Sequence, residues 1–125
     1  PYKEQVIPYL DSLSPEANAI GAVNVIRITR KGDKTHLKGF NSDVIGFTRS
    51  IEPLLERHHK KALILGTGGA SKAVDYGLRS LGIETKFVSR TKRPGFFTYE
   101  EIINHFPNIL VFCCCFQHFL FVIDF

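Results

Sequence analysis

Three short stretches in the first 43 residues hold side chains able to move or orient a proton: Pro1-Tyr2-Lys3, Ile20-Gly21-Ala22-Val23-Asn24 and Gly39-Phe40-Asn41-Ser42-Asp43. A lysine beside a carboxylate suits alcohol–ketone chemistry, because a proton must reach or leave the oxygen as a hydride moves at the neighbouring carbon. In that arrangement Lys3 is the general acid or base. Asp43 hydrogen-bonds a substrate hydroxyl and holds the lysine in place. Taken singly, each residue also has an ordinary explanation: Lys3 as a surface charge, Asn24 as a turn former, Asp43 as a helix cap.

A second chemical signature follows an apolar run. Gly66-Thr67-Gly68-Gly69-Ala70-Ser71 lies between a predicted strand and a predicted helix, the setting in which a glycine-rich loop cradles a pyrophosphate. Gly66 permits the tight turn, Gly68 lets backbone approach the anion, and Ala70 and Ser71 allow close packing while helix N–H groups face it. Ser71 stands where the fingerprint has its third glycine. About 20 residues on, an NAD site places an acidic residue for the ribose hydroxyls; this chain has Ser89-Arg90-Thr91-Lys92-Arg93 instead. A guanidinium there pairs with a 2′-phosphate, so the expected cofactor is NADP. Without the glycine turn upstream, the same loop would read as a solvated basic turn.

These residues need elements to position them. Residues 4–13 place Val6, Ile7 and Leu10 on one helical face, with Pro8 limiting its regularity. Ser14-Pro15-Glu16 starts a helix. Residues 23–30 and 35–40 form a β-hairpin around a turn at 31–34, whose feet bring Asn24 and the 39–43 motif together. A helix capped at Asn41 or Ser42 buries Val44, Phe47, Ile51 and Leu54 or Leu55, and Pro53 kinks it or starts a new turn. From residue 61 the texture becomes βαβ: strand 62–65, a helix to about Leu81 stopped by Gly82, and strand 85–89. A helix over 98–106 capped by Thr98 and a third parallel strand over 108–112 complete a βαβαβ unit.

The fold class is therefore α/β: residues 1–58 from a substrate-binding domain, 61–112 as the first half of a Rossmann-type NADP-binding domain, and an apolar tail at 113–125. The tail has one charge, Asp124, and no glycine or proline, and its composition resembles out-of-frame translation, the alternative being a native buried strand pair. It is too short and interrupted for a membrane span. A chain of 125 residues that begins at Pro1 and contains no Met reads as a piece of a longer protein. The net charge of +4 is scattered, which suits an anionic small molecule and argues against nucleic acid. The three cysteines, Cys113 to Cys115, are adjacent and form no disulfide framework, pointing to a reducing cytoplasm. Neither they nor His58-His59, which reads as a solvated pair, has the spacing of a metal site.

Pro1-Tyr2-Lys3, Ile20-Gly21-Ala22-Val23-Asn24, Gly39-Phe40-Asn41-Ser42-Asp43-Val44-Ile45-Gly46-Phe47, the segment Ala62 to Val74 around the glycine turn, and Ser89-Arg90-Thr91, in this order and spacing, resemble the shikimate dehydrogenase family. The resemblance runs from Pro1 to about Val111. It implies that Lys3 is catalytic and that Lys3, Asn24 and Asp43 contact shikimate. It implies that Gly66, Gly68, Gly69 and Ala70 hold the NADP pyrophosphate, and that Ser89, Arg90 and Thr91 face the adenosine end. The implied reaction is the reversible, NADPH-dependent reduction of 3-dehydroshikimate to shikimate in aromatic amino-acid biosynthesis. Ser42 replaces a threonine of the family pattern and Ser89 an asparagine. The family's N-terminal serine motif and its later glycine-rich and glutamine segments have no counterpart here, so the expectation is little or no turnover by this polypeptide alone. The alternatives are a quinate-using relative and a non-catalytic, nucleotide-binding remnant.

Overall fold

A computed structural model describes residues 2–103, 110–113 and 122–124. The expected helix over 4–13 does not form. Pro8 has no N–H to donate, so the segment makes only a 3-10 turn at Ile7–Tyr9. Leu10 is extended, and Ser12–Leu13 becomes strand β1, paired in parallel with a strand far along the chain.

Helix α1, Pro15–Ile20, begins as its sequence dictates: Ala17 N–H donates to Ser14 Oγ at 3.2 Å, and Pro15 fills the first turn where no donor is missed. Gly21, at φ 68°, ends it in the left-handed conformation that favours glycine. Strands β2, Val25–Lys31, and β3, Lys34–Phe40, form the hairpin, with Gly32 at φ 58° in its two-residue turn. The sheet order is β1-β3-β2, so β2 is an edge, and all seven of its residues are exposed.

Helix α2, Asp43–Ile51, buries Val44, Phe47 and Ile51. Leu55 packs partly against the core while Leu54 stays exposed, because Pro53 tightens the chain into a 3-10 turn at Glu52–Leu54. The connector to the second sheet differs from its solvated reading. His59 is buried, its Nδ1 accepts the Glu56 N–H at 2.8 Å, and its ring lies 4.1 Å from that of His58. Donor and acceptor lie only 3 residues apart, so the imidazole folds inward against its own backbone, a closure that residue type alone does not reveal.

Strands β4, Lys61–Leu65, β5, Glu84–Ser89, β6, Phe97–Thr98, β7, Leu110–Cys113, and β8, Val122–Asp124, form a sheet of order β6-β5-β4-β7-β8. The β4 pairings with β5 and β7 and the β5 pairing with β6 are parallel; β8 runs antiparallel to β7. The third parallel strand thus lies near its expected place. Of the apolar tail, Cys113 closes β7 and Val122–Asp124 is β8; residues 114–121 and 125 lie outside the described residues. Helix α3, Gly69–Ser80, crosses between β4 and β5, followed by Gly82 at φ 78°. Helix α4, Tyr99–Ile103, starts at Thr98, whose N–H donates to Glu101 Oε2 at 2.8 Å, one arm of a capping box. The expected end of this helix at 106, and Pro107 beyond it, fall outside the described residues.

One core joins the two sheets' helices. Phe47 and Ile51 of α2 pack with Ala62 and Ile64 of β4, Val74 and Leu78 of α3, and Ile83. The approach is close: a Cβ at Gly77 would lie 2.8 Å from Phe47 Cδ1 and 3.0 Å from Thr48 Cγ2. A smaller cluster, Ile20, Ala22, Val44 and Ala73, extends the same contact towards the starts of α2 and α3. Both helices therefore begin side by side. Among the described residues no helix is long and apolar enough to cross a membrane.

Candidate functional site

The residues that could move a proton meet at the place where α2 and α3 begin. Lys3 Nζ donates to Asp43 Oδ2 at 2.5 Å, and Asn24 Nδ2 donates to Asp43 Oδ1 at 2.7 Å, so each carboxylate oxygen has its own donor. Backbone contacts fix all three. Val23 N–H donates to Lys3 O at 2.7 Å, and Asn24 N–H donates to Phe40 O at 3.0 Å across the foot of the hairpin. Asn24 Oδ1 accepts the Ser42 N–H at 2.9 Å and the Ser42 hydroxyl at 3.3 Å. Ser42 therefore does not cap α2 with its side chain; Asn41 Oδ1 instead accepts the Asp43 N–H at 3.1 Å, while its Nδ2 donates to Ala22 O at 3.0 Å. The Lys3 and Asp43 side chains keep 32% and 39% of their surface exposed, so water or a ligand reaches the pair.

The glycine turn abuts this cluster. A Cβ on Gly69 would meet Lys3 Cβ at 3.6 Å and Ala22 Cβ at 3.5 Å, and Lys72, in the first turns of α3, donates to Glu4 Oε1 at 2.9 Å. Gly66 sits at φ 120° and donates its N–H to Val88 O at 3.1 Å, which ties the turn to the end of β5. Gly68 is the N-cap of α3 and offers no side chain to the first-turn N–H groups; Ala70 follows in that turn, and Ser71 is buried. A Cβ on Gly68 would have nothing within 4 Å, and its φ of −82° suits any residue. Among the described residues nothing demands glycine there. The small residue leaves a cradle in front of a helix N-terminus, which fits the pyrophosphate of a dinucleotide.

Beyond the turn lies a cavity of about 260 Å³ lined by Gly66, Thr67, Val88, Ser89, Arg90, Thr91, Arg93 and Tyr99. Ser89 is buried and its Oγ accepts the Thr91 N–H at 3.3 Å, shaping the bend that presents the arginines. Sequence reasoning missed Tyr99; an aromatic residue directly after the capping Thr98 was the available signal. It also grouped Lys92 with the arginines, whereas the Lys92 ammonium donates to Glu101 Oε1 and does not line the cavity. That hydrogen bond from Lys92, together with the one from Thr98 N–H, holds the Glu101 carboxyl below its ordinary value. A larger hollow of about 850 Å³, lined by Tyr76, Phe87 and Phe96 and sharing Thr67 and Arg93 with the smaller one, contains none of Lys3, Asn24 or Asp43.

Fold and site define a class: a small mixed sheet carrying a lysine–aspartate–asparagine cluster, packed against part of a Rossmann-like α/β unit with a glycine-rich turn. Residues 1–26 match the family model described as the shikimate dehydrogenase substrate binding domain. An NADP(+) shikimate dehydrogenase of Syntrophomonas wolfei is 46% identical over 83 residues, covering 66% of this chain and 27% of that relative. Among solved structures, shikimate dehydrogenase 1 from Peptoclostridium difficile superposes with a TM-score of 0.74 at 36% identity, covering 91% of this chain and 43% of that one. The shikimate 5-dehydrogenase of Thermus thermophilus, solved in complex with NADP(H) and shikimate, gives 0.64 at 39% identity over 76% of this chain and 35% of that one. The chain belongs to the shikimate dehydrogenase family. It spans about a third of the length of the curated relatives it matches.

Proposed function

We propose that this chain carries the proton-transfer pair and the first half of the cofactor site of an NADP-dependent shikimate dehydrogenase, the enzyme that interconverts 3-dehydroshikimate and shikimate. Residues 1–58 would serve the substrate and residues 61–112 the cofactor. The observation that carries the reading is the juxtaposition of Lys3, bonded to Asp43 at 2.5 Å, with the first turn of α3 at Gly69. Carbonyl reduction by a dinucleotide needs a proton donor beside the nicotinamide, and a lysine whose stem packs on the pyrophosphate cradle is within a bound cofactor's reach.

When bound, NADPH supplies the hydride. Gly66, Gly68, Gly69 and Ala70 would hold its pyrophosphate, with Ser89, Arg90 and Thr91 at its adenosine end. The Lys3 ammonium delivers a proton to the carbonyl oxygen and recovers it in the reverse direction. Asp43 keeps the ammonium aimed, and Asn24 keeps Asp43 aimed, each through one carboxylate oxygen. With about a third of both side chains exposed, Lys3 and Asp43 are left open to water, so the isolated chain should turn over little or not at all.

Two measurements test this. NADPH oxidation is followed with 3-dehydroshikimate and the 125-residue chain alone, where no turnover is expected. The same residues are then exchanged for the matching stretch of the Peptoclostridium difficile relative. A chimera that regains turnover on 3-dehydroshikimate, and loses it on Lys3→Ala, supports the reading. A folded chimera that is inactive, or that prefers quinate with NAD, sinks it.

A further inference from the structure

The basic loop after β5 holds three cations, and the structure treats them differently. Arg90 and Arg93 line the cavity beside the glycine turn, and among the described residues neither guanidinium is ion-paired. Lys92 lies between them in sequence yet turns away, its ammonium bonded to Glu101 Oε1 on α4. The other oxygen of the same carboxylate accepts the Thr98 N–H at 2.8 Å. One carboxylate therefore fastens the basic loop to the start of a helix, and Tyr99, the residue after Thr98, lines the same cavity as the arginines. Phe96 N–H donates to Arg93 O at 3.1 Å and the Phe96 ring lies 5.6 Å from that of Phe87, which packs the end of the loop on β5, while the Lys92–Glu101 contact ties its basic stretch to α4.

We infer that Lys92 and Glu101 form a latch that positions Arg90 and Arg93 for the 2′-phosphate of NADP, so that the cofactor preference depends on a carboxylate outside the cavity and Lys92 is a positioning residue, not a phosphate ligand. The inference rests on the NADP reading above. Its physical content is a sign. If Lys92 bound the phosphate, Glu101 would compete for it and repel the dianion, and removing the Glu101 charge would tighten NADPH. If the pair is a latch, removing that charge frees the loop, the arginines lose their fixed aim, and NADPH is held less well relative to NADH.

The test is titration of NADPH and NADH into the 125-residue chain, read by nicotinamide fluorescence, to which the absence of Trp leaves a clear background. Glu101→Gln keeps an acceptor for the Thr98 N–H but not the ion pair. The expected result is a fall of about 3- to 10-fold in the NADPH/NADH affinity ratio for Glu101→Gln and for Lys92→Gln, no further fall in the double variant, and a retained ratio in Lys92→Arg. A general loss of folding would lower both affinities together and leave the ratio unmoved, which counts against the latch. An unchanged or raised ratio in Glu101→Gln overturns it while leaving the NADP reading intact. If the unsubstituted chain shows no preference for NADPH over NADH, that reading falls and the latch falls with it.

Discussion

The two halves of the site are finished to different degrees. Around Lys3, Asn24 and Asp43, partners 19 to 40 residues apart in sequence are already bonded to one another, and each carboxylate oxygen of Asp43 is satisfied by protein. Around Gly66 and Gly68 the reverse holds: backbone bonds at Gly66 N–H and Gly68 O tie the turn down, yet among the described residues no atom lies within reach of a Cβ added at Gly68. A proton-transfer group must be aimed before substrate arrives, since misalignment lowers the rate directly, whereas an anion cradle can leave its donors facing outward for the ligand to complete. Stability and chemistry should therefore separate cleanly between the two regions.

The largest effect expected from breaking this contrast is at Lys3. In the chimera, Lys3→Ala should lower kcat by about 10²- to 10⁴-fold, while the thermal midpoint barely moves, because a pair this exposed contributes about 0–1 kcal/mol; a large stability loss with retained kcat would reverse the assignment. Gly77→Val tests the joint that brings both regions together. The new side chain would collide with Phe47 and Thr48, so urea unfolding should show a loss of about 1–3 kcal/mol. Gly68→Ala should do the opposite: no more than about 0.5 kcal/mol in stability, since nothing meets the added methyl, but about a tenfold weaker NADPH affinity by titration. Equal stability with equal affinity would mean that the cradle holds nothing.

The smallest effect concerns pH. Glu101 lies below its ordinary value of 4.5, so its ionised form is favoured in the fold and whatever it contributes is present above that value and lost as pH falls through the lowered one. The NADPH/NADH affinity ratio should accordingly be flat from about pH 8 to 5 as far as Glu101 is concerned. Because the 2′-phosphate itself loses its second charge at about pH 6, the reading is taken as the difference between the unsubstituted chain and Glu101→Gln, and a difference that collapses already at about pH 6 would weaken the latch.

What could be read from sequence follows the range of the interactions. The caps at Ser14 and Thr98, the hairpin turn at Gly32 and the glycine turn before α3 are local, and each appears where its residues placed it. The meeting of Asn24 with the 39–43 motif was legible too, because hairpin feet are neighbours by construction. The misreadings were non-local. Residues 4–13 have helical periodicity, yet Pro8 and the free edge of β3 draw Ser12–Leu13 into a parallel pairing. His59 looked solvated in a basic connector and is buried. Asn41 and Ser42 were interchangeable caps on paper; Ser42 is claimed by Asn24, a contact that exists only after the hairpin closes. Lys92 and Arg93, adjacent and alike in charge, are parted by a carboxylate eight or nine residues further on.

The bare edge of the small sheet sets how this chain behaves in concentrated solution. Strand β2 presents Val25, Ile26 and Ile28 to water beside backbone that no other described strand pairs, the arrangement that invites another strand to add on. Interleaved with them are Arg27, Arg30 and Lys31, so two such edges meet with like charges face to face. That repulsion is the edge's protection, and it is only as long as the Debye length, about 10 Å at 0.1 M salt and about 3 Å at 1 M. Light scattering by the chain should therefore rise with added salt, and the safest buffer for this molecule is a dilute one.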